Sequence, residues 1–164
     1  MRVYLPATVG MLQTLEADGR LAAVNGTVFA LTPALRESYN SGSTEELEYA
    51  AMAEAARASL RLLTGEQESE YPRRVVVSAD VDDVELRPDL DTAVGRISAP
   101  VPLEQVAAVH VDGADAESAV RTAAEVIDRA DLGEEDAELL LGDAEDHELA
   151  WYAPQELPFL LELL

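Results

Sequence analysis

Asp80, Asp82 and Asp83 follow a run of three valines, Val75-Val76-Val77, and are the residues in this sequence whose types and spacing best suit catalysis. An Asp-x-Asp pair at the end of a buried strand can supply a nucleophilic carboxylate and an acid beside Mg²⁺, because hard carboxylate oxygens suit that ion. A small Mg²⁺-dependent hydrolase or phosphate-handling enzyme is therefore the catalytic alternative. Enzymes built this way ordinarily hold the transferred phosphoryl group with a lysine, and the sequence contains none. An acidic turn between two strands is the simpler expectation.

His110 and Asp112 are two residues apart in Val109-His110-Val111-Asp112, so on a strand both face away from the valines. Such a pair can do acid/base work. With no GxSxG motif and only one other histidine, His147, a histidine hydrogen-bonded to a neighbour beneath a helix is the simpler reading. Arg57 and Arg61 sit on a narrow polar strip of a long apolar helix. They can hold an anion, but among so many carboxylates they are more simply ion-pair partners. Trp151-Tyr152, the only adjacent aromatics, are expected to anchor an edge of the core, with a ligand or dimer contact as the other use.

Composition removes further chemistries. All 11 basic residues are Arg, so there is no Schiff-base lysine and no GxxxxGK[ST] phosphate loop. There is no Cys, hence no thiol nucleophile, disulfide framework or thiolate zinc site, and the two histidines are too far apart for HExxH. The formal charge is -22 over 164 residues. A polyanion of this size is repelled by phosphate backbones and anionic membrane surfaces, so neither direct nucleic-acid nor membrane binding is expected. A basic protein partner is easier to accommodate. No apolar stretch approaches the roughly 20 residues that span a bilayer, and the N-terminus is not patterned as a signal peptide, so the expectation is cytoplasmic.

The acidity is uneven. Residues 1–82 hold 12 acidic and 7 basic side chains, a net of -5, whereas 83–164 hold 21 and 4, a net of -17. Nine acidic residues and no Arg lie from Asp131 to Glu148. Glu134, Glu135, Asp136 and Glu138 open a helix there, where negative charge suits the N-terminal end, and they are the candidate partner-docking residues.

The elements that must position these residues alternate between strand and helix. A strand over Val3-Tyr4-Leu5, ended by Pro6, precedes a helix capped by Thr8 and stopped by Gly19. Thr27 to Leu31 reads as a strand, and Thr32-Pro33 as a cap and first helical residue. Ser43-Thr44-Glu45-Glu46 is a capping box opening the longest helix, whose apolar arc runs from Leu47 and Ala51 round to Tyr49. It runs to about Leu63, and Glu66 to Pro72 is a polar link. Arg73 to Ala79 is a strand buried on both faces. Further strands are expected near Val81–Leu86, Ala93–Ile97, Ala107–Val111 and Glu148–Tyr152, with helices at Ala114–Ala130 and from about Gln155. The whole chain, 1–164, is expected to be one acidic α/β domain: a mixed sheet with helices packed on it and an antiparallel portion.

The segments Arg2-Val3-Tyr4-Leu5-Pro6-Ala7-Thr8, Phe29-Ala30-Leu31-Thr32-Pro33-Ala34-Leu35-Arg36, Ala55-Ala56-Arg57-Ala58-Ser59-Leu60-Arg61-Leu62-Leu63 and Val106-Ala107-Ala108-Val109-His110-Val111-Asp112, with Trp151-Tyr152, resemble an uncharacterised family of small acidic proteins from high-GC bacteria. The resemblance implies such a source, which also accounts for abundant Ala and Arg without Lys. It carries no activity with it. The leading expectation is a non-catalytic cytoplasmic protein working through a protein contact, with a homodimer as the other association open to it; no catalytic, cofactor-binding or metal-ligating residue is assigned, and no cofactor is expected.

Overall fold

The computed structural model describes residues 1–65 and 71–164, so the polar link expected from Glu66 to Pro72 lies almost wholly outside the described residues. β1 (Arg2–Ala7) passes into α1 (Val9–Asp18) through the expected cap. Thr8 Oγ1 accepts from the Met11 amide at 3.2 Å, and Gly19, at φ 72°, ends the helix in the left-handed conformation. Pro6 lies inside β1 rather than ending it. The neighbouring β3 (Thr27–Phe29) meets β1 only at Tyr4↔Phe29, so a missing N–H at Pro6 costs no ladder bond on that side.

α2 (Pro33–Ser38) is capped by Thr32, whose Oγ1 accepts from the Leu35 amide at 3.0 Å. α3 (Thr44–Gly65) starts where Ser43 Oγ accepts from the Glu46 amide at 3.2 Å. β4 (Val75–Asp80), β5 (Glu85–Leu86), β6 (Val94–Arg96) and β8 (Val106–Val111) follow, then α4 (Glu117–Asp131), α5 (Glu135–Glu145), β9 (Ala150–Tyr152) and α6 (Leu157–Leu163). β9 begins at Ala150, two residues later than expected. The short β2 (Arg20–Leu21) and β7 (Val101–Pro102) pair with each other in a separate ribbon that two-residue runs did not announce.

The main sheet has seven strands in the order β5-β6-β3-β1-β4-β8-β9. Its six pairings are all antiparallel, so the antiparallel portion expected from the sequence extends across the sheet. β4 is an interior strand between β1 and β8, with Val75, Val76 and Val77 each fully buried. Strand alternation divides its side chains: Val75 and Val77 join Val3, Leu5 and Val109 beneath α1 and α6, whereas Val76 joins Tyr4 and Phe29 beneath α3. The C-terminal part of α3 packs Leu60 and Leu63 against Ile127 of α4 and Leu141 of α5. Among the described residues, no helix is long and apolar enough to cross a membrane.

α3 is fastened to the sheet by a polar contact as well. Ser59 Oγ, fully buried, donates to the Ala7 carbonyl at 2.7 Å and accepts from the Val75 amide at 3.0 Å. One hydroxyl therefore satisfies the end of β1 and the start of β4, where unpaired backbone groups would be costly.

Candidate functional site

On the α3 side of the sheet, cross-strand register gathers polar side chains into one group. Tyr4 stands opposite Ser78, Arg2 opposite Asp80, and His110 opposite both Val76 and Trp151. Arg2 grips Asp80 through two contacts, Nε to Oδ1 at 2.9 Å and Nη2 to Oδ2 at 3.2 Å. That hydrogen-bonded guanidinium holds the Asp80 carboxyl below the usual carboxylate range. Tyr4 donates its hydroxyl proton to Glu48 Oε2 at 3.3 Å. Burial first, and then the charge of Glu48, push the Tyr4 phenol up to about 12.

His110 and Ser78 are hydrogen-bonded, Nε2 to Oγ at 2.8 Å. Burial, with a smaller push from Arg2, holds the imidazole below its ordinary value, so the ring is neutral at pH 7. A neutral imidazole on a serine hydroxyl is the geometry of a base and nucleophile pair. Here Ser78 is only 2% exposed, and among the described residues no carboxylate orients the other ring nitrogen. The pair satisfies polar groups on a buried sheet face.

Asp112, expected on the same face as His110, instead meets Arg74. Its Oδ2 accepts from both the Arg74 amide and Nε, and its Oδ1 from Nη2, all at 2.8 Å. Arg74 Nη2 also donates to the His147 carbonyl at 2.8 Å. Both side chains are essentially buried, and the pair ties the start of β4 to the end of β8 and to the segment leading into β9.

Arg57 and Arg61 are ion-pair partners, as the simpler reading had it. Both bind Asp131 of α4, Arg57 at 3.0 Å and Arg61 at 2.8 Å, and Arg57 also binds Glu138 of α5 at 3.2 Å. The two guanidiniums, Arg61 foremost, hold the Asp131 carboxyl below its usual range. Each guanidinium is thus paired with at least one carboxylate among the described residues.

The docking candidates lie where α4 turns into α5, and three of the four are paired with arginines. Glu134 and Asp136 lie near Arg129, at 3.4 and 3.6 Å, and Glu138 is held by Arg57. Glu135 makes no ion pair among the described residues. Beside them Leu132 and Leu139 are 84% and 74% exposed. Of the metal candidates, Asp80 is taken by Arg2 while Asp82 and Asp83 point to solvent, and no group of three His, Asp or Glu among the described residues is placed to hold a metal ion.

Two aromatic expectations change. Trp151 is 61% exposed because successive strand residues face opposite ways: Tyr152 goes with Val109 into the α1/α6 core, and Trp151 goes with His110 at the sheet's open edge. Tyr49, placed on the apolar arc of α3, is exposed as well. Ser59, Arg74 and Ser78 were not singled out from the sequence. Arg74 directly before one strand and Asp112 directly after another would have been the clue, since antiparallel pairing brings the start of one strand to the end of its neighbour.

A half-buried sheet face whose polar groups pair with one another, under helices joined by ion pairs, defines a class by architecture rather than by chemistry. Residues 1–161 match a family described as a family of unknown function, DUF6912, and the chain belongs to it. Comparison with curated proteins and with solved structures finds no match.

Proposed function

We propose that this chain is a single-domain, non-catalytic cytoplasmic protein that acts in a regulatory or assembly role by docking a basic protein partner on its acidic C-terminal half. The observation that carries the proposal is the pair of leucines at the α4–α5 turn, Leu132 and Leu139, exposed among Glu134, Glu135, Asp136 and Glu138. Apolar side chains rimmed by one sign of charge suit a partner with apolar anchors and Lys or Arg around them. The ion pairs of Arg129 are exposed and so contribute little, which lets a partner's cations replace them. A second copy would set -22 against -22, so a basic partner is favoured over a homodimer. We also propose a high-GC bacterial source, which the family resemblance implies and which accounts for abundant Ala and Arg without Lys.

The test is capture from the native cytosol with the wild-type chain, with Leu132→Ser/Leu139→Ser, and with a variant neutralised at the four carboxylates. The expected result is one basic protein retained by the wild type and lost by both variants while their melting temperatures hold. Retention of the same protein by all three would overturn the proposal. The other reading, a Mg²⁺-dependent hydrolase on Asp80, Asp82 and Asp83, has the Arg2–Asp80 pair against it. Phosphatase activity with submillimolar Mg²⁺ affinity, both abolished by Asp80→Asn, would restore it.

A further inference from the structure

A cavity of about 460 Å³ opens between α3 and the segment that joins α5 to β9. Met52, Ala53, Ala56 and Leu60 line it from α3, and Leu149 lines it from the other side. The short side chains of Ala53 and Ala56 leave the space. Arg74 anchors the opposite wall, because its buried guanidinium holds the His147 carbonyl while Asp112 neutralises it.

The charge on the lining decides what can enter. Two guanidiniums reach the cavity, and both are spent: Arg74 on Asp112, and Arg57 on Asp131 and Glu138. Glu54, Glu145 and Glu148 also line it and make no ion pair among the described residues, although Glu54 lies in the field of Arg61, so Glu145 and Glu148 carry the charge that nothing offsets. The unbalanced charge is therefore negative, beside an apolar lining and the exposed ring of Tyr49. Carboxylates and an aromatic face both attract a cation, and the volume falls in the range of small-molecule sites, about 300–1,000 Å³.

We infer that this cavity binds an amphipathic organic cation, an ammonium or guanidinium group carried on an aryl or alkyl body. The body lies against Met52, Ala56 and Leu149, and the head sits among Glu54, Glu145 and Glu148 near Tyr49. The cation can be a free amine or a Lys or Arg side chain of a polypeptide. The inference is independent of the docking face, whose leucines are not on the cavity lining.

Calorimetric titration of the full chain with tryptamine, with its neutral counterpart tryptophol, and with Nα-acetyl-lysine amide tests it. Saturable one-to-one binding of a cationic probe is expected, with tryptophol at least about tenfold weaker than tryptamine. Tighter binding of tryptamine assigns the site to free amines, and tighter binding of the lysine probe to a polypeptide side chain. Glu145→Gln/Glu148→Gln is expected to weaken binding at least about fivefold, while Glu16→Gln/Asp18→Asn, the same charge change on α1, leaves it within about twofold. Ala53→Trp, at an exposed position, is expected to fill the cavity and abolish binding with the melting temperature unchanged. No saturable binding of either cation, tryptophol binding as tightly as tryptamine, or equal loss from the two charge-removing variants would overturn the inference.

Discussion

Arg74 and Asp112 form the most buried ion pair of the described residues, their side chains 5% and 0% exposed and joined through both guanidinium edge nitrogens at 2.8 Å. The same carboxylate caps the Arg74 amide, and the same guanidinium holds the His147 carbonyl. One pair thus fixes the start of β4, the end of β8 and the approach to β9. Removing one partner strands the other's charge, so Asp112→Ala is expected to cost about 3–5 kcal/mol by urea denaturation. Replacing both by apolar residues of similar size, Arg74→Met with Asp112→Leu, is expected to cost less than the single change. A double variant less stable than Asp112→Ala would contradict this.

Ser59→Ala leaves the Ala7 carbonyl and the Val75 amide without their shared partner. The expected loss is about 1–3 kcal/mol, the cost of unsatisfied buried groups. The amide of Val75 should also exchange its hydrogen faster in the variant. Unchanged stability together with unchanged exchange would show that the hydroxyl does not fasten α3 to the sheet.

Two groups set opposite pH limits on stability. The unfolded chain ionises tyrosine near pH 10, roughly, whereas folded Tyr4 holds its proton up to about 12. Its contribution is present below the unfolded value and is lost as pH rises toward the folded one. Tyr4→Phe should flatten that alkaline loss. His110 is depressed instead, so the unfolded chain takes up its proton first as pH falls. That contribution is intact above the ordinary histidine value and is lost below it, and His110→Gln should flatten the acid limb by the same logic. Denaturation midpoints against pH for both variants check the two signs, and identical slopes to the wild type would refute them.

Local chemistry made much of the fold legible. The caps at Thr8, Thr32 and Ser43 and the stop at Gly19 are interactions within one helical turn, and each forms as its residues imply. The triple valine marks an interior strand, one place from the centre of the sheet, for a similar reason, since such a run suits a strand covered on both faces. What was not legible depends on register between distant segments. Ser78 meets His110 from 32 residues away, and Arg74 meets Asp112 from 38, and neither separation leaves a periodic trace. Trp151 could be placed on a strand but not on the open edge where half its neighbours are missing. The acidic stretch showed its helix and its charge, while the arginines that hold Glu134, Asp136 and Glu138 come from two other helices, Arg129 from α4 and Arg57 from α3.

The most direct test of the docking account is the association rate of the purified partner, measured at low and physiological ionic strength with the wild type and with Glu134→Gln/Glu135→Gln/Asp136→Asn/Glu138→Gln. A field of this kind acts mainly on association and decays over a Debye length of about 8–10 Å in physiological salt. The account predicts association slowed by about tenfold in the variant at low salt, a smaller difference at physiological salt, and an unchanged fold. Association insensitive to both the four substitutions and added salt would contradict it and leave the acidity of this half a matter of solubility.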